Sequence, residues 1–213
     1  IMKKKLLSLS LVAVMALGVL AGCSSSGSTE KEGEKQETEG EGTEAAGEKY
    51  IIATDTVFPP FEFTNEEGNF VGIDVDIINA IAEDQGIEVE IQSLGFDAAL
   101  LAVQSGQADG VIAGMSITDE RKQTFDFSEP YFDADVTMAV AAGSEIKSYE
   151  DLAGKTVAVK TATNGAAYAK SIADEYGFTV VEFKDSPTMY QDVIAGNTAA
   201  CFEDYPVMAY NIQ

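Results

Sequence analysis

Thr156-Val157-Ala158-Val159-Lys160 opens the stretch from 156 to 183 whose reading decides the fold. Its β-branched, apolar run is a strand. Gly165 to Tyr176 follows with helical periodicity, and Thr179-Val180-Val181-Glu182-Phe183 is a second strand. Working outward, Met189 to Ala195 is a helix, Ala199 to Phe202 a strand, and Tyr205 to Gln213 the start of another helix. Upstream, Ser148 and Asp151 form a box-like start to a short helix that Gly154 ends. Strand and helix alternate throughout, which predicts an α/β fold with ligand chemistry at the strand ends.

The same alternation occurs earlier in the chain. Tyr50 to Thr54 is β-type and runs into Asp55, Pro59-Pro60 interrupts, and Phe61-Glu62-Phe63 alternates as a strand. Glu66 to Asn69 is a turn. Asp74 to Asp84 is a helix with Val75, Ile78, Ile81 and Ala82 as its apolar stripe and Gly86 as its stop. Val89 to Ile91 is a strand, Phe96 to Gln104 a helix closed by Gly106, and Gly110 to Ala113 a short buried strand. Val136 to Ala142 lies between the two blocks and reads as a crossover. The expected organisation is a first lobe at 50–138 and a second at 139–213.

The front of the chain carries a different signal. Lys3, Lys4 and Lys5 precede an apolar core from Leu6 to Leu20, too short to span a membrane comfortably. Leu20-Ala21-Gly22-Cys23 resembles a bacterial lipobox. Residues 1–22 are therefore expected to be a signal peptide, with Cys23 as the lipidated first residue of the mature chain. Two or three acyl chains, such as palmitate, anchor stably because each buried methylene contributes about 0.8 kcal/mol. Residues 23–49 hold eight Glu and little that could build a core, so they read as a disordered acidic linker. Ile1, ahead of Met2, is left out of the fold.

Charge narrows the possible partners. Of 36 acidic and 13 basic residues, 28 and seven fall on residues 50–213, a surface that repels nucleic acid. With no His and two Cys, transition-metal sites and imidazole catalysis have little to work with. Asp74-x-Asp76 is not a calcium loop, since the required Gly and Glu positions are Asn79 and Gln85. No cofactor is expected. Cys201 reads as a small buried apolar residue.

Several segments together resemble the polar-amino-acid solute-binding proteins of bacterial ABC importers, above all the glutamine-binding members. They are Ile52 through Phe63, Gly72-Ile73-Asp74-Val75-Asp76, Ala113 through Arg121, Val157-Ala158-Val159-Lys160 and Glu203-Asp204-Tyr205-Pro206, in the family's order. The resemblance implies a two-lobe, type II periplasmic-binding-protein fold that clasps an amino acid between its lobes, and a monomer that serves a membrane permease without catalysis. Thr161 to Gly165 and Glu203 depart from the glutamine-binding pattern.

The matched residues suit such a ligand chemically. Arg121 offers a planar fork to a carboxylate, with Ser116 donating a hydroxyl beside it. Ala113 and Gly114 leave backbone free at a strand end. Asn164 and Gly165 open a helix whose N–H groups favour an anion. Asp204 is the counter-charge for an ammonium, and Phe58 and Phe96 sandwich the aliphatic part. Asp55 and Lys160 facing each other suit a neutral amide, which favours glutamine over charged amino acids.

Taken singly, each residue has an ordinary structural reading: Asp119-Glu120-Arg121 as a solvated helix start, the phenylalanines as core, Lys160 as a surface charge. Their joint occurrence in order is what raises them to a site. Two other functions fit the same fold. An amino-acid sensor would use the same clamp, and a dehydratase would need Lys160 or Glu203 as a general acid. The chain stops inside a helical pattern with no stop signal, which reads as a fragment. The resemblance implies that a further segment returns to complete the first lobe, and that without it the chain exposes apolar surface and binds weakly.

Overall fold

The computed structural model describes residues 48–212. The expected signal peptide, Cys23 and nearly all of the linker lie outside the described residues.

The second sheet contains the stretch from 156 to 183 and has strand order β6-β9-β7-β8. Its strands are β6 (Val136–Ala139), β7 (Thr156–Lys160), β8 (Thr179–Phe183) and β9 (Ala200–Asp204). The helices α3 (Asn164–Tyr176) and α4 (Ser186–Ile194) connect its parallel strands, and α5 (Tyr205–Asn211) follows β9. Val157, Ala158 and Val159 are all 0% exposed. A central parallel strand covered on both faces requires such a continuous apolar run. One face packs Leu152, Val157, Val159, Phe178 and Phe202, and the other packs Ala158, Met189, Val193, Cys201 and Met208. Burial pushes the Cys201 thiol up to about 12, as befits a core residue.

The boundaries depart from expectation where capping chemistry takes over. α4 begins at Ser186, not Met189, because the Asp185 carboxylate accepts from Thr188 N–H at 2.8 Å and Pro187 occupies the first turn. The Val136–Ala142 segment is more than a crossover. Its first four residues are β6, antiparallel to β9, with Val136 opposite Asp204.

The first sheet has the order β4-β1-β5, all parallel. It comprises β1 (Lys49–Thr54), β4 (Glu88–Ser93) and β5 (Gly110–Val111), with α1 (Ile73–Gln85) and α2 (Phe96–Gln104) as connections. Its core is small: Ala53, Ala99, Ala102 and Ala108. The strand expected over Gly110–Ala113 pairs only through Val111 before leaving for the loop. Phe61-Glu62-Phe63 is not a strand either. Phe58 bridges Glu62, Phe61 turns inward, and only β2 (Phe63–Thr64) pairs with β3 (Phe70–Val71). Of the expected α1 stripe, Val75 alone is buried, and Ile81 is 45% exposed. Ile77, Ile78 and Ile81 line an open groove of about 760 Å³ with Ile52, Val103 and residues 124–134. No helix among the described residues is long and apolar enough to cross a membrane.

Candidate functional site

The C-terminal ends of β1, β5, β7 and β9 converge on one cavity between the sheets, where the crevice beyond parallel strands offers backbone and helix ends to a ligand. The cavity is lined by Phe58, Phe96, Ala113, Gly114, Met115, Ser116, Arg121, Lys160, Thr163, Asn164 and Asp204. Its volume is about 10 Å³, space for about one water.

Arg121 opens a short 3-10 turn after Thr118, whose hydroxyl accepts from its N–H at 3.2 Å. Its guanidinium donates to the Ser116 carbonyl at 2.7 Å and, across the cleft, to the Ala162 carbonyl at 2.8 Å. The same group lies 5.5 Å from the Phe96 ring centroid. Burial lowers its pKa, against the opposing charges of Asp204 and Glu120. The fork is thus held by backbone carbonyls, and no carboxylate among the described residues bonds to it.

Lys160, at the end of β7, donates to Asp55, which follows β1, in a direct ion pair. Both residues are 1% exposed. The ammonium also lies 4.3 Å from the Phe58 centroid and 5.6 Å from that of Phe96, within range of cation–π attraction. The other Asp55 oxygen accepts from Thr56 N–H at 2.7 Å.

Asp204 ends β9 and occupies the N-cap of α5, yet its side chain makes no capping bond. An Asp at that position ordinarily bonds the first turn; here the carboxylate lines the cavity. Burial and then Glu203 push it up to about 7, while Lys160 and Arg121 act through space to lower it. Glu203 lies behind it, 1% exposed. The Glu203 carboxylate accepts from Ser186 Oγ at 2.7 Å, Tyr190 OH at 3.1 Å and Asp204 N–H at 3.1 Å. Burial raises its pKa, and Lys160 and these donors oppose the rise.

A family model described as bacterial extracellular solute-binding proteins, family 3, matches residues 50–200. The chain belongs to this family. Its fold is the two-lobe, type II periplasmic-binding-protein fold. Among curated relatives, the arginine-binding extracellular protein ArtP of Bacillus subtilis is 34% identical over 210 residues, 98% of this chain and 76% of that protein. Among solved structures, an ancestral arginine-binding protein bound to arginine superposes with a TM-score of 0.74 at 38% identity, over 78% of this chain and 74% of that one. An ancestral arginine-binding protein bound to glutamine gives 0.71 at 40%, over 76% and 72%. The substrate-binding protein of an amino acid ABC transporter gives 0.72 at 34%, over 77% and 73%.

In this family-3 solute-binding protein, the residues picked from sequence meet in one place, apart from two. Asp55 lies beneath the lining and is bonded to Lys160, so the expected arrangement, a carboxylate and an ammonium separated by an amide, is corrected. Two opposite buried charges lose less free energy when joined than when apart. Gly165 does not line the cavity. A Cβ there would stand 3.0 Å from the Phe202 carbonyl, so the glycine serves close packing of α3 on β9. The Ser116 carbonyl, in addition, accepts from the Arg121 guanidinium. Sequence reading missed Met115 and Thr163. Thr163 is the N-cap of α3, accepting from Ala166 N–H at 3.1 Å and donating to the Lys160 carbonyl at 2.7 Å. A Thr just before a helical run was the available signal.

Proposed function

We propose that this chain captures a free amino acid, glutamine, between its lobes and delivers it to the permease of an ABC importer, held to the membrane as a monomer by lipid on Cys23. One observation carries the reading. Arg121 and Asp204 line the same cavity, one suited to a carboxylate and the other to an ammonium, while the second pair of charges, Lys160 and Asp55, is already balanced. A zwitterion with a neutral side chain adds no net charge to this set. A guanidinium side chain would add a positive charge beside Lys160, whose partner Asp55 is already paired. An incoming ammonium also favours the ionised form of Asp204, whose carboxyl is otherwise pushed up by burial.

In this reading the cavity, with space for about one water, is the shut state. A ligand enters as the lobes part, breaking the bond from Arg121 to Ala162, and the freed guanidinium takes the ligand carboxylate. The related structures bound to arginine and to glutamine support an amino-acid ligand, and they make arginine the competitor to measure. Catalysis has less support. A dehydratase needs an acid presented to substrate, whereas Lys160 is joined to Asp55 and Glu203 lies behind Asp204.

Isothermal titration of the purified chain with glutamine, arginine, histidine and cystine tests the proposal. Glutamine is expected to bind at least tenfold more tightly than arginine, and Arg121→Ala to lose at least tenfold in affinity for it. Arginine binding more tightly than glutamine would overturn the neutral-ligand reading, and no response to any of the four would overturn the receptor.

A further inference from the structure

Beneath the cleft, Glu62 Oε1, Glu62 Oε2 and Asp74 Oδ1 are buried with no donor among the described residues. Both residues are 0% exposed. The chain forces them together. Gly72 has a φ of 135°, and a Cβ there would lie 2.1 Å from the Phe61 carbonyl oxygen, so only glycine lets the start of α1 rest on Phe61 and Glu62. Asp74 N–H then donates to the Phe61 carbonyl at 2.9 Å, and Ile73 N–H to that of Pro60 at 3.0 Å. Two adjacent carboxylates this deep cannot both remain ionised, because desolvation and like-charge repulsion act together. A single proton supplies the missing donor, since a protonated carboxyl donates an O–H to its neighbour.

The far side of the pair faces the ligand cleft. Asp74 Oδ2 accepts from Gly114 N–H at 2.7 Å, and Gly114 lines the cavity between Ala113 and Met115. We propose that Glu62 and Asp74 share one proton, and that this carboxyl–carboxylate pair is a positioning device holding the Gly114 amide, and with it the ligand-facing backbone, in place. Its part in ligand capture rests on the receptor reading above; the shared proton does not.

Four groups among the described residues act on the pair. Asp55 beyond β1, Lys160 at the end of β7 and Tyr131 from the 124–134 segment face it, together with the Gly114 amide. Burial first, then Asp74 and Asp55, push the Glu62 carboxyl up to about 11, with Lys160 opposing. Burial raises Asp74 too, but Gly114 N–H, Tyr131 and Glu62 all hold it down. These pulls favour the Glu62 side of the pair for the shared proton. The folded pKa of Glu62 lies above the unfolded value, so its stabilisation is complete below about pH 4 and is lost as pH rises toward 11, by up to about tenfold in the folding constant per pH unit.

Urea unfolding of the full chain from pH 5 to 9, with glutamine affinity measured alongside, tests this. Glu62→Gln keeps an N–H donor toward Asp74 and has no proton to lose. Its folding constant is expected to fall with pH several-fold less per unit than that of the wild type, and its glutamine affinity to stay within about threefold. Glu62→Ala, which removes the donor, is expected to lose at least tenfold in affinity. Equal pH slopes in wild type and Glu62→Gln would overturn the shared proton, and unchanged affinity in Glu62→Ala would overturn the positioning role. If Glu62→Gln does not fold, the side-chain carboxyl carbon shift of Glu62 in the wild type decides. It is expected to stay at the protonated value to pH 9, and a titration with its midpoint below 7 would overturn the idea. A wild type that shows the slope but binds no amino acid would sink the receptor reading alone.

Discussion

Each lobe fastens the backbone amide of one cavity-lining residue with a buried carboxyl group, and the two lobes do it differently. In the second, Glu203 receives three donors, from Ser186, Tyr190 and Asp204 N–H. In the first, Asp74 holds Gly114, while Glu62 beside it receives none among the described residues. The cores differ in the same direction. The second lobe packs Phe202 against the rings of Tyr149, Tyr168 and Phe178, with centroids at 5.6, 5.8 and 6.3 Å. The first lobe's sheet packs alanines, and its buried Phe58 and Phe61 form a separate small cluster with Val207. The same strand–helix order therefore yields one lobe with large apolar contacts on its sheet and satisfied hydrogen bonds, and another with a small alanine sheet core and an acid pair that needs a proton.

The largest effect should come from removing the aromatic centre of the second lobe. Phe202→Ala is expected to cost about 3–5 kcal/mol, the range for emptying an aromatic core site. Ala102→Gly, in the first lobe's core helix, should cost only about 1 kcal/mol, chiefly backbone entropy. Urea unfolding monitored by far-UV circular dichroism measures both. Comparable losses would mean that the lobes are equally dependent on their cores, and the contrast would fall.

A smaller effect sharpens the hydrogen-bond half of the comparison. Glu203→Ala leaves the Ser186 and Tyr190 hydroxyls and Asp204 N–H without their acceptor, and is expected to cost about 1–3 kcal/mol. Glu203→Gln, which keeps an acceptor oxygen for at least one donor, should recover part of that loss in the same assay. If the two variants are equally stable, the three donors find other partners and the second lobe is not specially satisfied.

These contrasts also show what could be read from sequence. Val157-Ala158-Val159 and the helix after it were legible because central strands and amphipathic helices are written in local periodicity. Arg121, Asp204, Phe58 and Phe96 were singled out by their joint occurrence within the family resemblance, not residue by residue, and the structure brings all four to one cavity. The Asp55–Lys160 bond was not legible. The residues are 105 positions apart, and sequence fixes which charges share a site but not whether they meet directly. Glu62 was hidden for a related reason. In Phe61-Glu62-Phe63 it alternates like a solvent-facing strand residue, and only the approach of α1, which Gly72 permits, buries it beside Asp74.

The smallest difference is also the most local. Ile81 and Ile172 occupy the same place, the ninth residue of α1 and of α3, each helix having 13 residues and a left-handed glycine, Gly86 or Gly177, behind it. Ile172 packs against the core of the second lobe, whereas Ile81 is 45% exposed and faces the open groove. Ile172→Ser should therefore cost about 1–2 kcal/mol, the part of an isoleucine's transfer free energy that partial burial secures. Ile81→Ser should stay within about 0.5 kcal/mol, as exposed substitutions do. The pair shares helix position and substitution, so propensity largely cancels and the difference reports burial alone. Equal losses in urea unfolding would mean that the exposed face of α1 is covered in solution, and the first lobe would then be no more open than the second.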